Sequence, residues 1–201
     1  MIAYRVFRAV LVVVVRPIWP ITVEGLERLP RTGCVISPNH NSFADPVFVG
    51  VALPRPLRFL GRSELFRFPF RGFLNSLGAI PVVRGANDTG AIVTAVQAVR
   101  DGHAVVIHPQ GTILGAPNRP WKRGASRVAI ETGAPLVPVA LIGIERVLKP
   151  GTPWVHRVAV RVVVGEPLDP GPARPPTEDE ASALTERLRQ AVQALGAPRT
   201  D

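Results

Sequence analysis

Cysteine is nearly absent: one residue, Cys34, stands in a chain of 201. No disulfide framework can form, a reducing compartment is the default, and a thiol between Gly33 and Val35-Ile36 reads as a small buried hydrophobe. Acidic residues are also scarce, 15 against 24 lysines and arginines, for a net charge of +9. That imbalance suits an anionic partner, whether nucleic acid, acidic membrane or phosphorylated small molecule, and does not choose among them. Long apolar runs are missing as well. The run Ala9 to Val15 lies between Arg8 and Arg16, far short of the roughly 20 residues of a membrane span, and no small-residue cleavage site follows it. The chain lacks a GxSxG nucleophile, a GxxxxGK[ST] phosphate loop and a dinucleotide fingerprint. His103 and His156 have no carboxylate or cysteine at ligand spacing, so no metal site is expected. There is no internal repeat.

What is present is a hydrophobic fraction of 46% with 19% charged residues, enough for a single core burying about 70% of the unfolded surface. If residues 2 to 16 are helical, Arg5, Arg8 and Arg16 fall within roughly 80° of one another. The opposite face is then Ile2, Phe7, Val10, Leu11, Val13 and Val14. The pattern predicts a helix lying in a membrane interface, with Tyr4 and Trp19 as anchors. Packing on the protein's own core, or a valine-rich strand, are the alternatives.

From Ile21 an α/β rhythm sets in. Strands are expected at 21–23, 34–36, 57–60, 77–84, 104–107, 135–142 and 158–164, with Pro138 at a bulge or strand end. Helices are expected at 47–53, around Ile92 to Val99 after a cap at Asn87 or Asp88, before Gly133, and after the capping box Thr177/Glu180. The alternation implies an α/β fold with a mixed, mostly parallel sheet covered by helices. Residues 62–77 interleave Phe66, Phe68, Phe70 and Phe73 with Arg62, Arg67 and Arg71. Such a stretch can stack nucleic-acid bases, hold a lipid by rings and arginines, or simply form short helices with core phenylalanines.

The stretch with the most chemistry in it is Asn39 to Asp45, NHNSFAD. A carboxylate in reach of an imidazole holds one ring nitrogen protonated and leaves the other as a base. Without a serine nucleophile, that base would act on a substrate hydroxyl.

Four pieces in order, over most of residues 20–145, resemble the lysophospholipid acyltransferase family. NHNSFAD matches its NHxSxxD motif at Asn39, His40, Ser42 and Asp45; LGAIPVVR (77–84) resembles the second block; HPQGT (108–112) stands where FPEGT is usual; LVPVA (136–140) resembles the fourth. The resemblance implies a glycerolipid acyltransferase-like fold, and an acyl-CoA or acyl carrier protein thioester as co-substrate with no cofactor. The acceptor it implies is a lysolipid such as 1-acyl-glycerol-3-phosphate. It implies His40 as base and Asp45 as its orienter, with Asn39, Ser42, Arg84, Gln110, Gly111 and Thr112 around the substrates. Arg62, Lys122 and Arg123 are lesser candidates for phosphate contacts. Residues 1–19 are expected as the interface helix, 20–168 as the acyltransferase domain, and 169–201 as a proline-rich linker with an amphipathic helix packed on it. The setting implied is the cytoplasmic face of the cell membrane, peripheral or monotopic, with membrane lipids as partners and no nucleic acid.

The third block departs from the family at His108, Gln110, Ile113 and Leu114. Gln110 keeps hydrogen-bonding capacity without charge, and Ile113 removes an arginine clamp, so a different lysolipid, glycolipid or other hydroxyl acceptor is the alternative. His108, ending a buried strand, reads as structural. A basic nucleic-acid or anionic-surface binder built on residues 55–84 leaves the dyad unexplained.

Overall fold

Why the chain makes a sheet buried on both faces is visible in its strands. CVISP, AVV and LVPVALI are almost uniformly apolar, as parallel strands sandwiched by helices must be. The computed structural model describes residues 2–82, 89–111, 120–148 and 154–198. In chain order the elements are α1 (Ile2–Ile18), β1 (Ile21–Glu24), β2 (Cys34–Pro38), α2 (Asp45–Ala52), β3 (Leu57–Arg62), α3 (Phe70–Ser76) and β4 (Ile80–Val82). They continue with α4 (Thr89–Arg100), β5 (Ala104–Val106), α5 (Gly124–Thr132), β6 (Leu136–Ile142), β7 (Val160–Val164) and α6 (Glu178–Ala194).

Among the described residues the strands form one seven-stranded sheet in the order β1-β7-β6-β2-β5-β3-β4. All pairings are parallel except β6 with β7. The mixed, mostly parallel α/β expectation is met. Strand residues alternate between two cores. Val35, Val105, Leu136 and Ala140 pack with the inner faces of α4, α5 and α6. Ile36, Val106, Val139 and Leu141 pack on the other side with α1 and α2.

Three expectations change. Pro138 lies inside β6, paired with Ser37 of β2, and not at a bulge. Its carbonyl accepts from Gly165 N at 2.9 Å, and a residue's N–H and C=O share a side, so the missing donor faces the chain just past the end of β7. Tyr4 is turned into the core and is not a surface anchor, and Trp19 is half-buried. Tyr4 is 4% exposed, while Trp19 packs edge-on against Phe48 and donates to the His156 carbonyl at 2.8 Å. Arg8 does not join Arg5 and Arg16 at the surface. It reaches the carbonyls of Gly50, Val51 and Leu53 at 2.9–3.1 Å, capping α2 where the helix macrodipole is negative.

The rotation this imposes on α1 turns Tyr4, Leu11 and Val15 inward. It leaves Ile2, Val6, Val10 and Val13 outward at 81, 60, 55 and 72% exposure. Gly133 ends α5 at φ 65° as expected, and the caps at Asn87 and Asp88 fall outside the described residues.

α6 is docked, not peripheral: Leu184, Leu188 and Val192 are buried in the core of α5 and β6, and Thr177 accepts from Glu180 N in a complete capping box. Leu188→Ala is therefore expected to lower stability by about 2–5 kcal/mol and Thr177→Ala by about 1 kcal/mol. Urea denaturation checks both; a Leu188→Ala midpoint equal to wild type would mean α6 is no part of the cooperative unit.

Candidate active site

Parallel strands deliver their following loops to one edge, and the carboxyl edge of such a sheet is where α/β proteins build sites. β2 and β5 are neighbours there. Their ladder continues past β5 through Ile107 N to Ile36 O at 3.0 Å, with Ser37 Oγ donating to Ile107 O at 2.9 Å. Residues 38–40 and 107–111 are thereby brought together.

His40 follows β2 and Asp45 opens α2. Asp45 is fully buried, and its Oδ2 takes three donors: His40 Nδ1 at 2.7 Å, Asn41 N at 2.8 Å and Ser42 N at 3.1 Å. Burial pushes the Asp45 pKa up, and the His40 ring and the two amides pull against that rise. The His40 side chain is 16% exposed, and its Nε2 has no hydrogen bond among the described residues. With Nδ1 held as donor, Nε2 is the basic nitrogen.

Asn39 and Ser42 are both buried and bonded within the fold. Asn39, 2% exposed, exchanges two hydrogen bonds with the Leu141 backbone, at 2.9 and 2.7 Å, using its amide as a strand would to tie β2 to β6. Ser42, 1% exposed, accepts from Ala44 N at 3.2 Å. Both shape the loop that holds the dyad.

Gln110 also faces the dyad, its Oε1 accepting from the His40 backbone N–H. Gly111 turns at φ 67°, and a Cβ there would meet Lys122 Cε at 2.9 Å and Nζ at 3.1 Å; the exposed lysine arches over this loop, anchored by Lys122 N to Pro109 O at 2.7 Å. Arg123 is drawn away to Glu178 at 2.8 Å. Arg62 ends β3 opposite Val82. Its side-chain role, and the roles expected of Arg84, Thr112, Ile113 and Leu114, lie outside what is described.

Sequence reasoning placed His108 at the end of a buried strand but missed its contact with His40. Its ring stacks on that of His40 with centroids 4.2 Å apart and planes 25° apart. Neither nitrogen has a hydrogen bond or solvent access. Burial, then the adjacent His40, push its pKa down to about 3 against a smaller upward pull from the nearby carbonyls of Asn39 and Pro38, so it is uncharged at neutral pH. The pairing of β2 with β5 was the available signal. Donor atoms of His40, Asp45 and His108 lie within 4.8 Å of one another, but stacked imidazoles send their in-plane lone pairs side by side, whereas a metal needs them to converge.

An apolar cavity of about 160 Å³ starts one residue from Asp45, between Pro46 and Val47 of α2, Tyr4 and Leu11 of α1, Phe59 of β3 and Leu74 of α3. A larger open depression, about 580 Å³, lies at the opposite, amino end of the strands near Arg31 and Arg100.

Among the described residues, an imidazole oriented by a buried carboxylate thus stands at the carboxyl ends of parallel strands beside an apolar cavity, in an α/β fold. The chain belongs to the Acyltransferase family, whose model matches residues 20–142, and is an acyltransferase. It is 32% identical to the 1-acyl-sn-glycerol-3-phosphate acyltransferase of Bacillus subtilis, over 87% of each chain. It is 29% identical to the chloroplastic 1-acyl-sn-glycerol-3-phosphate acyltransferase BAT2 of Brassica napus, over 76% of this chain and 46% of that one. Its fold matches the crystal structure of the 1-acyl-sn-glycerophosphate acyltransferase PlsC from Thermotoga maritima, with a TM-score of 0.72 and 23% identity over 90% of this chain and 73% of the other.

Because folded Asp45 holds its proton more tightly than the unfolded carboxyl, the native state binds more protons in that window. Its stability then falls as pH rises from the ordinary carboxylate range through the raised value. Asp45→Asn is expected to lose about 10⁴ in turnover yet melt above wild type at neutral pH. The gap should close on acidification below the ordinary carboxylate range, as thermal melts across pH would record; a lower melting temperature for the variant at neutral pH would contradict the burial argument.

Proposed function

We propose that the chain acylates the free hydroxyl of a lysophospholipid, 1-acyl-glycerol-3-phosphate being the acceptor favoured, with coenzyme A or a carrier protein bearing the acyl thioester. The observation that carries this reading is the His40–Asp45 pair at 2.7 Å with Nε2 unpartnered, supported by the names of the relatives.

His40 Nε2 takes the hydroxyl proton as the oxygen attacks the thioester carbonyl. A C–O bond forms and the tetrahedral oxyanion collapses. The C–S bond breaks, and the thiolate leaves and recovers the proton from His40. Asp45 stabilises the imidazolium between these steps. Thiolate is a good leaving group, so no acyl-enzyme is required. Lys122, arched over the turn at Gly111, offers charge for a phosphate, and the family resemblance assigns Arg62, Arg84 and Thr112 to the same substrates. The apolar cavity beside Pro46 suits an alkyl chain.

A lipid substrate requires access to a bilayer. Among the described residues no helix is long and apolar enough to cross a membrane. Yet α1 presents Ile2, Val6, Val10 and Val13 outward with exposed Arg5 and Arg16 on the flank, and Phe68 of the neighbouring loop is 97% exposed. Phe73 of α3 meets Phe7 of α1 edge to face, with ring centroids 4.9 Å apart, making the two helices one surface. Apolar residues flanked by arginines suit peripheral binding to an anionic membrane, on the cytoplasmic side.

Purified protein with liposomes, lysophosphatidate and palmitoyl-CoA should release thiol, and His40→Ala should slow release roughly 10²–10⁴-fold. Undiminished turnover in that variant would sink the mechanism. A lysolipid panel tests the acceptor, and release only with non-phosphate acceptors would overturn lysophosphatidate. Replacing Val6, Val10 and Val13 together by aspartate should move the protein from the pellet to the supernatant in sedimentation with anionic liposomes; retention in the pellet would refute the docking face.

A further inference from the structure

The two residues of the third block that differ from the family's usual phenylalanine and glutamate both touch His40. His108 lies against its ring, and Gln110 accepts its backbone N–H. One departure alone would be a local change; two converging on one residue are coupled by electrostatics. Glutamate at position 110 could accept the same N–H, but it would set a carboxylate against the backbone of His40, the residue on whose ring His108 stacks. His40 already has Asp45 on Nδ1. His108 has both nitrogens unpartnered, so it is the open proton acceptor. A charged His108 at 4.2 Å from His40 would oppose the proton that His40 must take up, a repulsion that low solvent exposure leaves strong. Phenylalanine, which cannot charge, tolerates the carboxylate. An imidazole requires the amide.

Resting on the reading of His40 as base, we propose that His108 and Gln110 are a matched pair of positioning residues: an uncharged ring and an uncharged amide that hold His40 from two sides, the ring staying neutral because no carboxylate stands at position 110. They set the rate of proton uptake by His40 and do not contact the substrates.

The test is a double-mutant cycle on the full chain, read as kcat and KM separately. Gln110→Glu alone should lower kcat about tenfold or more, with KM within about twofold. The same change in a His108→Phe background should cost no more than about threefold relative to His108→Phe itself. Equal losses in both backgrounds would overturn the coupling. A rise in KM at unchanged kcat would instead place Gln110 on a substrate, and a folded but inactive His108→Phe would show that the ring nitrogens are needed; either overturns the proposal. A second measurement needs neither turnover nor the double variant: nitrogen NMR of isotope-labelled histidine should read His108 neutral in wild type and charged in Gln110→Glu at neutral pH. A His108 that stays neutral in Gln110→Glu would refute the match. His40→Ala in the same assay separates the two levels, since persistent activity there removes the base reading while the NMR result stands by itself.

Discussion

A carboxylate with no solvent exposure is the constraint around which this site is built. Taking Asp45 out of water is costly, and one oxygen, Oδ2, collects three donors to offset it while Oδ1 has none. Two of those donors are backbone amides, which exist only if residues 41–45 keep their turn. The turn is held by Ser42 beneath Ala44 and by Asn39 on Leu141. The asymmetry of the carboxylate, one oxygen crowded and one bare, therefore propagates into the strand order: Asn39 can reach β6 only because β6 lies beside β2.

The same element carries the constraint outward. Asp45 begins α2, and Arg8 of α1 caps the carbonyls at its other end. α2 is thus held at one end by the dyad and at the other by the helix with the exposed apolar face. On the proposed membrane reading, the surface that meets lipid and the base that meets the acceptor are two ends of one rigid eight-residue rod. The apolar cavity lies along that rod's flank. A chain entering from the α1 side would run beside α2 toward Asp45 without crossing polar surface.

The sheet, its mostly parallel sense and the position of the dyad were legible because each is written locally. Uniformly apolar strands, capping boxes and turn glycines are short-range patterns, and His40 and Asp45 are joined by a turn of five residues. What was not legible depends on facing. A helical wheel put Arg8 with Arg5 and Arg16, since angle alone cannot say that a neighbouring helix end demands a cation. Tyr4 and Trp19 read as anchors because aromatic residues near a helix end have the same composition whether they face lipid or core. His108 and His40 lie 68 residues apart in sequence, and only the pairing of β2 with β5 makes them a stack. Asn39 and Ser42 matched the family motif, but a motif does not separate residues that touch a substrate from residues that shape the loop.

That distinction changes the weight of the unusual third block. While Gln110 is read as a substrate contact, its lost charge bears on which acceptor fits. On the proposed pairing with His108, its carbonyl turned to the His40 N–H makes the lost charge bear on the electrostatics of the base. Among the described side chains, Lys122 arches over Gly111 beside the dyad loop. An ammonium is a point charge on a flexible stem, without the planar fork that grips two phosphate oxygens at fixed angles. On the proposed reading, Lys122 would draw an anionic head group by charge more than by shape.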